Sequence, residues 1–222
     1  MRHVRLMLLA ALGAPGAGAE VQTYRVAPRL DGPGIEISVP YTLGVHSESV
    51  RRISGEVRLD PAAPVGASGT FSVPIDAIAS DQAERDCHMR EALGLDYSRS
   101  RYPKDHVCND DRLPAGSVAF PEIVLRIDRA AAPALASAPP GTEVPVSADA
   151  TWTIHGITRP ARLQLSASRE QTPPGSLRIR GSSTIRLADF DVVVKSAGAL
   201  FVTVSVGDSA NLKMDLTLVP AP

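Results

Sequence analysis

The chain has 222 residues, 44% of them hydrophobic and 21% charged, with a formal net charge of −1. That length and composition fit one globular domain with a real core and exclude a disordered or collagen-like chain. The balanced charge argues against a nucleic-acid partner, which would require a basic surface.

Taken in chain order, "MRHVRLMLLAALGAPGAGA" begins with Arg2 and Arg5, continues with an apolar run from Leu6 to Leu12, and ends in small residues at Ala19. This is the anatomy of a secretory signal peptide, too short to span a bilayer. The expected division is therefore a signal peptide over 1–19 and a single domain over 20–222, exported to the periplasm or secreted. Its removal takes away two arginines and moves the formal charge from −1 to −3. No later run approaches the roughly 20 apolar residues of a membrane helix.

Beyond the leader the dominant period is two. In "IEISVPYTLGV" the odd positions Ile35, Ile37, Val39, Tyr41, Leu43 and Val45 are apolar. The alternation returns in "EVRLD", "TFSVPIDAI", "EIVLRID", "VPVSADATWTIHG", "ARLQLSAS", "LRIRGSSTIRL", "LFVTVSV" and "NLKMDLTLV", with Pro- and Gly-containing turns between. Such segments predict antiparallel strands with one apolar face. Eight or nine of them in series, several long, predict an all-β, up-and-down barrel, with a sandwich as the competing architecture. Only 4% of residues are aromatic. A Val-, Ile- and Leu-lined interior with room to spare is the expectation.

One segment, "SDQAERDCHMREALGL" from Ser80, has a helical pattern, with Ser80 or Asp81 as cap and Met89, Ala92 and Leu93 as a modest apolar face. Its acids Asp81, Glu84, Asp86 and Glu91 read as a solvated face. A long loop without period follows, and a second loop, Arg129 to Glu143, rich in Ala and Pro, reads as a flexible surface excursion.

The two cysteines, Cys87 and Cys108, admit three readings. A catalytic thiolate needs its base in reach, and Cys87 and His88 point about 100° apart on a helix. A metal site would draw on His46, His88, His106 and His155, of which no two stand at ligand spacing, so no metal is expected. In an exported chain a disulfide between Cys87 and Cys108 is the stronger reading. No GxSxG, HExxH or phosphate-loop motif occurs, so no catalytic residues and no cofactor are assigned.

Several pieces, in order, resemble the YceI-like family of periplasmic, lipocalin-like barrels associated with polyisoprenoid lipids. They are "YTLGVHSESVRRISGEVRLD", "FSVPIDAIASDQAERDCHMREAL", "FPEIVLRI", "ATWTIHGITRPARLQLSAS", "LRIRGSSTIRLADFDV" and "VGDSANLKMDLTLV". The resemblance implies an eight-stranded barrel with a helix at one end and an apolar cavity holding an amphiphile with an isoprenoid tail, of the quinone or polyprenyl type. It also marks a departure. About twenty residues from Leu95 to Ala119 look inserted before "FPEIVLRI", although Tyr102-Pro103 offers an alternative strand start.

On this reading the cavity is lined by Ile37, Val39, Tyr41, Val73, Ile75, Trp152 and Ile154 from the first two thirds of the chain. Leu163, Ile179, Leu187, Val202, Val204 and Met214 complete it. Small inward residues such as Ala148, Ala150, Gly181 and Ser183 leave room for a ligand. A buried tail gains about 0.8 kcal/mol per methylene. The expected function is transport, storage or sequestration of an isoprenoid or other amphiphilic lipid, with transient membrane contact possible and monomer or dimer left open. The alternative is an envelope or stress-related interaction module whose barrel is filled by its own side chains.

Overall fold

The structure, a computed structural model, describes residues 20–27, 34–80, 82–96, 108, 113, 116–193, 197–199 and 202–222. The leader over 1–19 and most of the inserted loop lie outside these residues. β1 (Gln22–Val26) and β2 (Ile35–Tyr41) share one position in the barrel wall, and β3 (Gly44–Val50) and β4 (Ser54–Leu59) share the next. β5 (Val65–Pro74) and β6 (Ile78–Ala79) form the third. β7 (Glu122–Ala131), β8 (Val144–Ile154), β9 (Ile157–Arg169) and β10 (Leu177–Arg186) follow, each antiparallel to its predecessor. A small hairpin, β11 (Ala197–Ala199) and β12 (Val202–Val204), precedes β13 (Ser209–Pro220). β13 pairs with β10 on one side and with both β1 and β2 on the other. This closes an antiparallel barrel of eight strand positions.

Alternation builds the wall. In β8, Val144, Val146, Ala148, Ala150, Trp152 and Ile154 are buried while the residues between them face outward. β13 does the same with Ala210, Leu212, Met214, Leu216 and Leu218. Closure of the ring gives the long wall strands β5, β7, β8, β9, β10 and β13 partners on both sides. β1 was not evident as a strand from its short sequence, yet it completes the ring and buries Tyr24.

Three readings of the pattern are corrected. The run from Ile35 to Val45 is not one strand: a two-residue turn at Thr42–Leu43 pairs Tyr41 with Gly44, Val39 with His46 and Ile37 with Glu48. Partners directly across a hairpin share a face, so even-numbered residues point inward on β3. Leu43 and Val45 are accordingly 68% and 61% exposed. Of "LFVTVSV", Val202–Val204 form β12, which pairs with β11 and not with the barrel strands, Val206 bridges to Tyr41, and Leu200 and Phe201 lie outside the described residues. β10 and β13 pair along their whole length, which leaves β12 to pair with β11 outside the ring. Finally, the Ala/Pro-rich segment after β7 is a plug rather than a surface excursion. A 3-10 turn at Pro133–Ala136 seals the end of the barrel where β1 begins, with Ala132, Leu135 and Ala138 buried. Its small apolar side chains have a core to enter, and burial there outweighs solvation.

At the other end sits the helix α1 (Ala83–Gly94). Met89, Ala92 and Leu93 pack against the barrel core, and polar bonds anchor the helix at its edges. The Asp86 carboxylate accepts from the Ser80 backbone N–H at 2.7 Å and from its hydroxyl at 2.6 Å. Arg90 donates to the carbonyls of Asp76 and Ile78 at 3.2 and 3.3 Å. Asp86 and Glu91 are thus buried, not solvated; only Glu84 of the helix acids keeps its predicted exposure, and Asp81 lies outside the described residues. Gln82, not Ser80, precedes the first helical residue, and Ser80 accepts from the Gln82 N–H instead.

The base of the insertion is closed. The Gly94 carbonyl accepts from the N–H groups of Ala119 and Phe120 at 2.8 and 3.0 Å, and Leu95 bridges to Val118. The chain therefore resumes where it left, and "FPEIVLRI" supplies β7. Tyr102-Pro103 lies outside the described residues. Cys87 and Cys108 form a disulfide across 5.6 Å between Cα atoms, tying the insertion to the helix. Among the described residues no helix is long and apolar enough to cross a membrane.

Candidate functional site: a two-chambered barrel interior

The barrel holds two adjoining cavities that share Ile123 in their walls. The lower one, of about 110 Å³, runs from mid-barrel down to the plug at Leu135. Every residue around it is apolar, Phe71, Leu125, Trp152 and Leu177 among them. The upper one, of about 520 Å³, lies beneath α1. That volume is within the range of small-molecule sites. Its floor and sides are aliphatic, but its rim is polar: His46 and Glu48 from β3, and Gln82, Glu84, Arg85 and His88 at the start of α1.

Of the residues expected to line a cavity, Ile37, Val39, Tyr41, Ile154 and Leu187 stand around the upper chamber. Val73, Trp152, Ile179 and Met214 stand around the lower one. Ile75 and Leu163 line neither. Pro74 ends β5 and the chain turns through a 3-10 helix, so Ile75 packs against the helix at Gly94 instead of continuing the alternation. Leu163 is 2% exposed within solid core. Val202 and Val204 belong to the β11–β12 hairpin, outside the barrel ring.

The polar members were missed by the sequence reading, which followed apolar periodicity through the β2–β3 turn. The signal was present: once Thr42–Leu43 is a turn, "HSESV" places His46, Glu48 and Val50 on the inner face. Glu48 is 7% exposed, and its Oε2 has no hydrogen-bond partner among the described residues. Burial pushes its carboxyl up to about 7; Arg85 draws it down and Asp86 raises it. Burial, then Arg85, push His46 below its ordinary value. His46 also stacks on Tyr41 with ring centroids 3.9 Å apart. The indole N–H of Trp152 is likewise buried without a partner among the described residues.

Other polar groups hold the frame together. His155, in the β8–β9 turn, faces the Leu95 carbonyl with Nε2 at 2.6 Å and the Phe190 carbonyl with Nδ1 at 3.2 Å, which pins the base of the insertion to the barrel. His88 Nδ1 lies 3.1 Å from the buried Glu91 carboxylate. The sulfurs of Cys87 and Cys108 sit beside Glu91, but a disulfide offers no thiolate to a metal.

A closed antiparallel barrel with an apolar interior and a polar rim is lipocalin-like in architecture. The profile of the YceI-like domain matches residues 36–218, and the chain belongs to the YceI-like family. Among solved structures it is similar to a polyisoprenoid-binding domain from Saccharophagus degradans implicated in plant cell wall breakdown. The TM-score is 0.58 at 12% identity, covering 91% of this chain and 100% of that one. It is also similar to BcnA of Burkholderia cenocepacia (TM-score 0.49, 12% identity, 89% and 95% covered). A Campylobacter jejuni YceI protein follows (TM-score 0.49, 13% identity, 79% and 84% covered). No curated protein matches the chain.

Proposed function

We propose that this protein is an exported carrier that holds one isoprenoid-tailed lipid in its barrel, for transport, storage or sequestration, and that it acts by binding and not by catalysis. The observation that carries the reading is an all-apolar lower cavity adjoining, at Ile123, a larger upper chamber that carries the polar groups. That distribution suits an amphiphile with its tail toward the plug and its head beneath α1. The similar Saccharophagus degradans domain is polyisoprenoid-binding, which favours the branched hydrocarbon class. The candidate leader over 1–19 would deliver the protein to the periplasm or the medium. The exposed Leu43 and Val45, at the hairpin next to Tyr41 on the chamber rim, offer an apolar contact for transient docking on a membrane during loading.

The chain has one tryptophan, and it lines the lower cavity. Titrating the protein with a polyprenol should change Trp152 emission saturably at one molecule per chain. An unchanged spectrum, with the barrel folded by circular dichroism, would contradict the reading.

A further inference from the structure

We infer that the upper chamber contains a subsite for an uncharged, oxygen-bearing head group, with Glu48 as its hydrogen-bonding partner. The inference rests on the carrier reading and specifies its head-group chemistry. Glu48 occupies an inward position on β3, opposite Ile37, where the alternation of a barrel interior calls for an apolar side chain. A carboxyl there is costly unless something satisfies it. Its Oε2 has no protein partner among the described residues, although the side chain is more than nine-tenths buried in the chamber wall. The atom is therefore available to a ligand.

The surroundings select the charge of that ligand. Glu48 is flanked by His46 on the same strand and faced by Arg85 and Asp86 from α1, with Glu84 and His88 further along the rim. Arg85 draws on Glu48 by its charge, but it is partly exposed and already donates to the Gln82 amide oxygen at 3.0 Å. Burial holds Glu48 near half-protonation at neutral pH. A protonated carboxyl donates to a carbonyl or hydroxyl oxygen, and an ionised one accepts from a hydroxyl. A diphosphate would instead bring several negative charges into a low-dielectric chamber beside a carboxyl, where repulsion is strong.

Three probes of the same chain length separate the possibilities: geranylgeraniol, geranylgeranyl diphosphate and the hydrocarbon phytane, each titrated by Trp152 fluorescence. The wild-type protein should bind the alcohol more tightly than either of the others. Glu48→Leu should lose about tenfold for the alcohol and keep its affinity for phytane, and Glu48→Gln should recover most of that loss. The subsite is overturned if Glu48→Leu binds the alcohol as tightly as wild type, or if the diphosphate binds wild type more tightly than the alcohol. If none of the three binds, the carrier reading itself fails, and the subsite with it.

Discussion

The two ends of the barrel are made from the same alternating strands, yet they are closed by opposite means. At the lower end a short Ala- and Pro-rich turn sinks Leu135 into the core, and the cavity narrows to about 110 Å³ with only apolar neighbours. At the upper end a helix is hung on hydrogen bonds from Asp86 and Arg90 and on a disulfide, and a chamber of about 520 Å³ remains beneath it. Apolar closure packs shut because dispersion and burial reward every filled gap. Polar anchoring fixes a lid at its edges without requiring the space below to be filled. The interior is therefore wider beneath the helix than above the plug.

Breaking the upper anchor should have the largest effect. Replacing Cys87 and Cys108 together by alanine should lower stability by about 3 kcal/mol and make the insertion protease-sensitive while the barrel stays folded, as read by denaturant unfolding and limited proteolysis. Opening the lower end should cost somewhat less: Leu135→Ala should destabilise by about 2 kcal/mol, since the turn can partly settle into the space. It should also widen the lower cavity, so that longer tails gain affinity relative to shorter ones.

The third test concerns charge. A glutamate with a folded value near 7 and an ordinary value of 4.5 binds its proton more tightly when folded. Stability from this group is therefore full below about pH 4.5 and is lost as pH rises through about 7. Glu48→Gln removes that loss, so it should match wild type near pH 4.5 and exceed it at pH 8, as read by denaturant unfolding at the two pH values. Asp215, on the outer wall, behaves oppositely. Hydrogen bonds from Arg178, at 2.7 and 2.6 Å, hold its carboxyl below the usual range. Its contribution is present above the ordinary aspartate value and is lost as pH falls through the depressed one. Asp215→Asn should cost about 1 kcal/mol at pH 7 and less in acid, the smallest effect of the four.

The wall of the barrel was legible because alternation is a local property: β7, β8, β9, β10 and β13 each announce an inner face within a few residues. What was not legible depended on geometry beyond the strand. The parity switch at Thr42–Leu43 hid Glu48 and His46 and falsely placed Leu43 and Val45 inside. The plug after β7 reads as a loop by composition, and only the open end of a tube gives Leu135 somewhere to go. The burial of Asp86 goes with its partner Ser80, outside the helix, which helical periodicity does not reveal. The disulfide could be read, because a leader-like amino terminus and a count of two cysteines point to it without any need for coordinates.

Native mass spectrometry, after incubation with a tenfold excess of a long polyprenol and mild desalting, tests the carrier account most directly. A folded protein bearing one polyprenol per chain, with that adduct diminished by Ala210→Trp, which would narrow the upper chamber, is the expected result. A folded wild-type chain that stays at its bare mass would contradict it.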